Sequence, residues 1–321
     1  MMNQTEVKVT RKMGGKVSWI WAEYSVAVAF LVIVILAALA DSSFLTYTNL
    51  TNILRQVSII GIISLGMTVV MLSGGIDLSV GAVLAFVGGV ALLALNGTES
   101  VLLALVTALL CGALIGFLNG VMITKGKIAS FIATLGVMAG ARSLILYIAD
   151  GGSISGEVET YTMIANEDVL GISYPIIIFL AATLLVYLLM HKTRFGRYVY
   201  AIGSNERAAL LSAIRVDRVK IGVYMLCSSF VALAAVVESS RLNSISSASS
   251  GLAYELDAIA AVIIGGTRMS GGRGKVIGTF FGVLILGILN NMMNLLNVSP
   301  YLQGLVKGLI IIIAVLLQKK D

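Results

Sequence analysis

Long apolar runs without charged residues dominate this chain of 321 residues and restrict the folds that it can adopt. Ten such runs are separated by short polar segments, and they cover residues 19–40, 53–72, 80–95, 101–123, 128–148, 174–190, 221–237, 256–266, 276–289 and 301–317. With 58% hydrophobic and 12% charged residues, the chain has too few polar side chains for a water-soluble surface. Most runs approach the roughly 20 residues that a helix needs to cross a bilayer. The sequence therefore predicts an all-α polytopic membrane protein with about ten transmembrane helices, and it excludes a soluble enzyme.

The run at 256–266 is too short to cross the bilayer as a straight helix. It predicts a tilted or broken helix that flanking polar residues complete. Free backbone groups cannot face lipid, so such a break is buried in protein or lines an aqueous path.

Basic residues indicate the orientation. If the N-terminus is cytoplasmic, 18 of the 22 Lys and Arg residues lie in inside segments, as the positive-inside rule requires. The segment 149–172 holds acidic residues and no Lys or Arg, which is typical of an outside loop. We therefore predict a cytoplasmic tail (1–18), a single transmembrane domain (19–317) with a cytoplasmic loop at 191–220, and a cytoplasmic C-terminal tail (318–321). The scattered basic segments do not indicate a nucleic-acid surface.

Carboxylates stand at the start of two apolar runs. Asp77 lies in the glycine-flanked segment 74–81, with Ser79 directly before the third run. Two interpretations of Asp77 stay open, an N-cap of the following helix or a part of a gate or solute pathway. Glu255 and Asp257 open the eighth run in a similar way.

These two acid-bearing segments lie on opposite sides of the membrane in this topology. Five spans separate them, as an inverted-topology repeat of spans 2–5 and spans 7–10 requires. Spans four and nine carry glycines at every fourth position, which favours close helix packing. The glycines are Gly112, Gly116 and Gly120 in one span, and Gly274, Gly278 and Gly282 in the other. The spacing from acid to first glycine is 35 residues in one half and 17 in the other, so the registers do not match.

The cytoplasmic loop contains a helix start at Ser204-Asn205-Glu206. Ser204 can cap this helix, and Glu206 complements its dipole. Residues 207–214 continue it as a short amphipathic helix. The residues alone leave two roles open, docking on a cytoplasmic partner and lying on anionic lipid.

Polar residues within the apolar runs need partners. Arg55, Arg142 and Lys307 would each be costly facing lipid, so they should be paired or near an interface. Four neutral amides can either contact a polar solute or tie helices together. They are Asn119, Asn290, Asn291 and Asn294.

Catalysis is not indicated. The stretch 271–276 resembles a phosphate-binding loop, but Met269 replaces its first glycine and Val276 its final hydroxyl residue. His191, the single histidine, lies in the cytoplasmic loop, so an intramembrane histidine relay or metal centre is excluded. We predict no catalytic residues and no metal ligands.

Several ordered motifs resemble the membrane permease of ribose-type ABC sugar importers, and the resemblance covers about residues 45–317. The motifs are Gly74–Gly81, Thr193–Tyr198, Ala201–Glu206, Tyr254–Ala261, Gly265–Thr267, Gly271-Gly272 and Asn290-Asn291. The resemblance implies a multi-pass permease of the bacterial cytoplasmic membrane. Its implied partners are a second permease chain, two cytoplasmic ATPase subunits and an external sugar-binding protein. It also implies that ATP and Mg²⁺ belong to the ATPase subunits, and that this chain binds no cofactor.

The resemblance favours docking for the cytoplasmic loop. It implies ATPase coupling through Gly203, Ser204, Asn205, Glu206, Arg207 and Ala208. The candidates for a gate or solute pathway are Asp77, Ser79, Asn119, Glu255, Asp257, Asn290 and Asn291.

The expected mechanism is alternating access driven by the partner ATPases. A competing class is an ion-coupled secondary transporter or a channel, which would have no use for the elaborate cytoplasmic loop. The cargo also stays open, since the same machinery could carry a nucleoside, a signalling furanose or a branched amino acid.

Overall fold

A computed structural model of the chain describes residues 15–318. Its helices are α1 (Gly15–Ala40), α2 (Tyr47–Leu72), α3 (Val80–Thr98), α4 (Val101–Thr124), α5 (Ser130–Ile148), α6 (Met163–Asn166), α7 (Tyr174–Lys192), α8 (Arg194–Ser204), α9 (Glu206–Leu211), α10 (Val216–Leu242), α11 (Tyr254–Ile264), α12 (Val276–Leu295) and α13 (Pro300–Gln318). Most of the two predicted tails lies outside the described residues.

Seven of the described helices are long and apolar enough to cross a membrane, namely α2, α3, α4, α5, α7, α10 and α12. Within residues 15–318, strands are confined to two small antiparallel pairs, β1 (Ser153–Ser155) with β4 (Ser244–Ser246) and β2 (Asp168–Val169) with β3 (Ile172–Ser173). The predicted class, an all-α polytopic membrane protein, is confirmed.

Helix α10 lies at the centre of the molecule and packs against α2, α3 and α4. Its close approach to α4 depends on the first glycine series. A Cβ added at Gly112 would lie 2.6 Å from the Ser228 carbonyl oxygen, and one at Gly120 would lie 2.6 Å from the Ile221 Cα. The predicted packing face of α4 is therefore present.

The second glycine series is only partly helical. Gly278 and Gly282 belong to α12 and pack directly on backbone atoms of Gly265 and Ala261. Gly274 lies before α12 begins and has a φ of +159°. The prediction that all three glycines form one helix face is wrong for Gly274, because the chain is still extended there.

Connections between helices gather at two ends of the molecule. At one end, which we call the basic end, Lys125 pairs with Asp217 at 2.6 Å and Lys220 pairs with Glu206 at 2.7 Å. At the other, the acidic end, Arg55 pairs with Asp168 at 3.1 Å. The acidic end also holds the β1–β4 pair. This sorting places alternate connections at opposite ends, as the predicted topology requires.

Candidate functional site

A buried polar cluster at the junction of α2 and α3 contains three of the pathway candidates. Asp77, Ser79 and Asn119 are fully buried. The Asp77 Oδ1 atom accepts hydrogen bonds from the Ser79 backbone N–H at 2.9 Å and from the Ser79 hydroxyl at 2.5 Å. The Asn119 amide donates to the Ser79 Oγ atom at 3.2 Å. Among the described residues, Asp77 Oδ2 and Asn119 Oδ1 have no hydrogen-bond partner.

Asp77 is not the N-cap of α3, so that interpretation is wrong. Ser79 occupies the N-cap position, and its side chain makes no capping bond. Asp77 instead accepts the N–H two residues further on, which is the geometry of an Asx turn. Hydroxyls of α5 bind the same extended segment, since Ser130 accepts from Ile76 N and Thr134 accepts from Leu78 N.

The two acid-bearing segments start at opposite ends and meet inside the molecule. Gly81 in the first turn of α3 faces the carbonyl oxygen of Gly251, and a Cβ there would overlap that oxygen. The same Cβ would lie 2.7 Å from a carboxylate oxygen of Glu255. Gly251 has a φ of +69°, a conformation that favours glycine. Two small residues therefore let the two backbones touch.

Arg142 stabilises the segment that reaches this crossing. Its guanidinium donates to the carbonyl oxygens of Ser247 at 2.7 Å and Ser250 at 2.9 Å. These carbonyls lie outside regular helix, where a membrane offers no other donor. Arg142 is thus paired with protein groups, as expected for a charged residue within a span.

The short helix α11 explains why the crossing lies deep. It has 11 residues, and at about 1.5 Å per residue it rises about 16 Å, roughly half of the hydrocarbon thickness. Its C-terminal end leads to Gly272, whose N–H donates to the Leu72 carbonyl oxygen at the basic end at 3.0 Å. The start of α11, with Glu255 and Asp257 in its first turn, therefore lies about halfway through the molecule. The predicted broken span is confirmed.

A cavity of about 370 Å³ lies on the other side of α11, between α2, α10 and α12. Its polar lining comes from Gln56, Glu238, Arg241, Ser249, Ser250, Tyr254, Asp257 and Asn290. Asp257 is paired with Lys307 of α13 at 3.0 Å. Two of the predicted candidates, Asp257 and Asn290, therefore share one cavity.

Asn291 does not line this cavity. Its side chain exchanges hydrogen bonds with the side chain of Asn49, at 2.7 Å in one direction and 3.1 Å in the other. This pair ties α12 to the start of α2. Of the two roles that the sequence left open for Asn291, contact with a polar solute or a bond between helices, the structure shows the bond between helices.

The predicted coupling residues lie on two short helices at the basic end. Asn205, not Ser204, is the N-cap of α9, and its side chain accepts from the Ala208 N–H at 3.0 Å. The prediction for Ser204 is wrong, because Ser204 is the last residue of α8. The preceding helix α8 was not predicted. Arg207 is exposed beside this cap.

Helix α8 is seated against the ends of the neighbouring elements. A Cβ at Gly203 would overlap the Leu72 carbonyl oxygen and would lie 2.5 Å from Gly272 N. The Tyr200 hydroxyl donates to the Gly274 carbonyl oxygen at 3.0 Å. Burial raises the pKa of the Tyr200 phenol, so it remains a hydrogen-bond donor. Gly203 and Tyr200 therefore connect α8 both to α2 and to the segment before α12.

Sequence reasoning missed Glu238, Arg241 and Gln56 as cavity residues. The predicted seventh span ended at residue 237, but α10 continues to Leu242 and carries Glu238 within it. Recognising that an acid continues the helix would have marked Glu238, since ionisable groups inside spans are usually functional.

The membrane helices, the deep break and the polar sites between helices define a multi-pass permease. Residues 49–315 match the family described as branched-chain amino acid transport system, permease component. The chain belongs to this family, and it is a transporter subunit of the cytoplasmic (inner) membrane.

Three relatives show how far the similarity extends. The ribose import permease protein RbsC of Bacillus subtilis (strain 168) is 48% identical over 292 residues, 90% of each chain. RbsC of Escherichia coli (strain K12) is 42% identical over 311 residues, 94% of this chain and 95% of the relative. The L-arabinose transport system permease protein AraH of the same strain is 37% identical over 300 residues, 94% and 91% of the two chains. No solved structure gives a significant match. The resemblance inferred from the motifs is confirmed.

Proposed function

We propose that this chain is the permease subunit of an ATP-driven, binding-protein-dependent ABC importer that moves a ribose-like monosaccharide across the bacterial cytoplasmic membrane. The similarity over nearly the whole chain to relatives named for ribose import carries this proposal. Another relative is named for L-arabinose transport, and both sugars are uncharged. The family description names branched-chain amino acids, so a zwitterionic amino acid is the second candidate cargo.

Ten helices cross the membrane in the proposed topology, with both termini in the cytoplasm. They are α1 to α5, α7, and α10 to α13, within one domain at 19–317. The basic end contains Lys125 together with the loop 191–220, which includes Lys220. This concentration of basic residues supports an inside location for the basic end.

Helix contacts support an inverted repeat of α2–α5 and α10–α13. Helix α4 packs on α10 as α12 packs on α2, and α3 packs on α5 as α11 packs on α13. Each half also has an extended segment that dips inward before its second helix, and the two segments touch at Gly81 and Gly251. The shorter α11, with 11 residues against 19 in α3, accounts for part of the unequal spacing between acid and glycines in the two halves.

The proposed partners are a second permease chain, two cytoplasmic ATPase subunits and an external sugar-binding protein. ATP and Mg²⁺ are bound by the ATPase subunits. Residues 203–208 form the coupling contact with one ATPase subunit, because they lie at the basic end on short helices whose Arg207 and Leu211 are exposed.

Coupling follows from how α8 and α9 are attached. Movement of α9 is transmitted through Gly203 to the end of α2 and to the segment before α12. The end of α2 leads directly to Asp77, where the buried Ser79 and Asn119 contacts can make or break as a gate. Access to the central path then alternates between the two sides, and weak polar contacts along it allow release of the sugar.

Reconstitution tests this function. Proteoliposomes that contain the permease and both ATPase subunits should take up D-ribose only with ATP inside and binding protein outside. A solute-free binding protein preparation should be tested with D-ribose, L-arabinose and L-leucine in parallel. Uptake of leucine alone would change the cargo, and uptake driven by an ion gradient without ATP would overturn the importer proposal.

A further inference from the structure

The cavity between α2, α10, α11 and α12 contains a buried hydrogen-bond acceptor for which the described helices supply no donor. Glu238 is 3% exposed. Its side chain has Tyr254 and Ser250 as hydrogen-bond partners, but among the described residues its Oε2 atom has none. A buried carboxylate oxygen without a donor costs free energy, so a ligand that supplies a donor would be favoured at this position.

The charges around the cavity balance. Asp257 is neutralised by Lys307 at 3.0 Å, and Arg241 interacts electrostatically with Glu238. A balanced site has no net attraction for a free cation or a free anion, so it favours a ligand without net charge. The remaining polar groups are neutral donors and acceptors, namely the Gln56 and Asn290 amides, the Tyr254 phenol and the Ser249 and Ser250 hydroxyls.

The size and the walls of the cavity also suit a small solute. About 370 Å³ is at the lower end of the volumes of small-molecule sites. Apolar side chains form much of the remaining wall, among them Val57, Val283 and Leu286. The exposed Ser249 at the rim lies on the segment that follows β4, on the side of the acidic end.

We propose that this cavity is a binding site for one monosaccharide within each permease chain, in which a sugar hydroxyl donates to Glu238 Oε2 while Arg241, Gln56 and Asn290 bind neighbouring hydroxyls. The proposal rests on the proposed function for the class of ligand. It places a solute site inside the single chain, and it makes Glu238 and Arg241 specificity-determining residues that the sequence patterns did not identify.

Cysteine protection measures occupancy of this site directly. The assembled permease and ATPase complex is placed in nanodiscs without binding protein, so that only its own site can bind. Ser249→Cys is introduced into a background with Cys111→Ala and Cys227→Ala, and its alkylation by a maleimide is timed with increasing D-ribose. D-ribose should slow the reaction, whereas equal concentrations of L-leucine or sodium chloride should not.

Glu238→Gln should raise the half-protecting D-ribose concentration at least about tenfold, because a hydrogen bond to a charged group is lost. Arg241→Gln is a second variant with the same expected direction, and size-exclusion profiles check that both assemble. Glu157→Gln is the matched control, since Glu157 is exposed at the acidic end and lies outside the cavity.

Two results overturn the site. One is protection by D-ribose that is unchanged in both variants, and the other is protection by L-leucine instead of D-ribose. The complete importer separates this failure from failure of the proposed function, because ATP-dependent ribose uptake without ribose protection would reject only the cavity. Absence of ribose uptake with intact uptake of another solute would reject the cargo itself.

Discussion

At the scale of single residues, Asp77 is the clearest case of a buried polar group with a definite task. Its carboxylate holds the backbone N–H and hydroxyl of Ser79, and through Ser79 it reaches Asn119 on α4. The segment before α3 has no helical hydrogen bonds of its own, so these side-chain bonds keep it in place.

We predict that Asp77→Ala destabilises the permease by about 1–3 kcal/mol, because two buried donors of Ser79 lose their acceptor. Asp77→Asn keeps an acceptor oxygen and should cost less. Thermal unfolding of the purified complex measures the loss, and initial uptake rates should show a lower maximum with an unchanged half-saturating sugar concentration.

Glu157→Ala serves as the control, since that side chain is exposed. A normal melting temperature and normal maximal uptake for Asp77→Asn, combined with a changed sugar affinity, would instead assign Asp77 to sugar contact.

The sequence could predict which charged residues need partners, but not what the partners are. Arg55 and Lys307 were expected to avoid lipid, and both form ion pairs, with Asp168 and Asp257 respectively. The physical cost of a charge in hydrocarbon is local, so one chain position is enough to infer it. The identity of a partner 113 residues away depends on the packing of whole helices.

At the scale of elements, α11 shows what the pattern of apolar runs can predict and what it cannot. Its short apolar run predicted a broken span, since length alone excludes a full crossing. The contact of Gly81 with Gly251 could not be predicted, because the two glycines are 170 positions apart and either one alone fits an ordinary turn. The helix α8 was missed because its basic sequence resembles a loop.

Coupling through α8 gives a prediction at this scale. Gly203→Val places methyl groups where the Leu72 carbonyl oxygen and Gly272 N now lie, so α8 must move away from α2. Membrane insertion should remain normal, while stimulated ATP hydrolysis and sugar uptake fall by about 5- to 150-fold, the usual range of coupling energies. Glu206→Lys should act in the same direction, because it replaces the ion pair with Lys220 by repulsion.

Gly97→Val is the matched control, since a Cβ at Gly97 meets no neighbouring atom. ATPase recruitment, stimulated hydrolysis and uptake should be measured in one reconstituted preparation. Normal coupling with an altered preference between D-ribose and L-arabinose would show that α8 and α9 belong to selectivity instead.

At the scale of the whole molecule, the alternation of apolar runs and charged connections was sufficient to predict the helix order. Each predicted run coincides with a helix, because the bilayer permits only hydrogen-bonded backbone at its core. The cavity between four helices could not be predicted from the sequence, because its lining residues come from separate segments between positions 56 and 290. The predicted seventh run ended at residue 237, one residue before Glu238, because an acidic residue interrupts the apolar pattern that marks a span, whereas α10 continues to Leu242.

The orientation of the molecule leads to the last prediction, which uses two exposed serines at opposite ends. Ser155 lies on β1 at the acidic end, and Ser204 ends α8 at the basic end. With 18 of 22 basic residues on its side, the basic end should be cytoplasmic. In a Cys111→Ala, Cys227→Ala background, an impermeant maleimide should label Ser155→Cys in intact cells and Ser204→Cys only after the membrane is opened. Labelling of Ser204→Cys but not Ser155→Cys in intact cells would invert the topology, and with it the assignment of α9 to an ATPase contact.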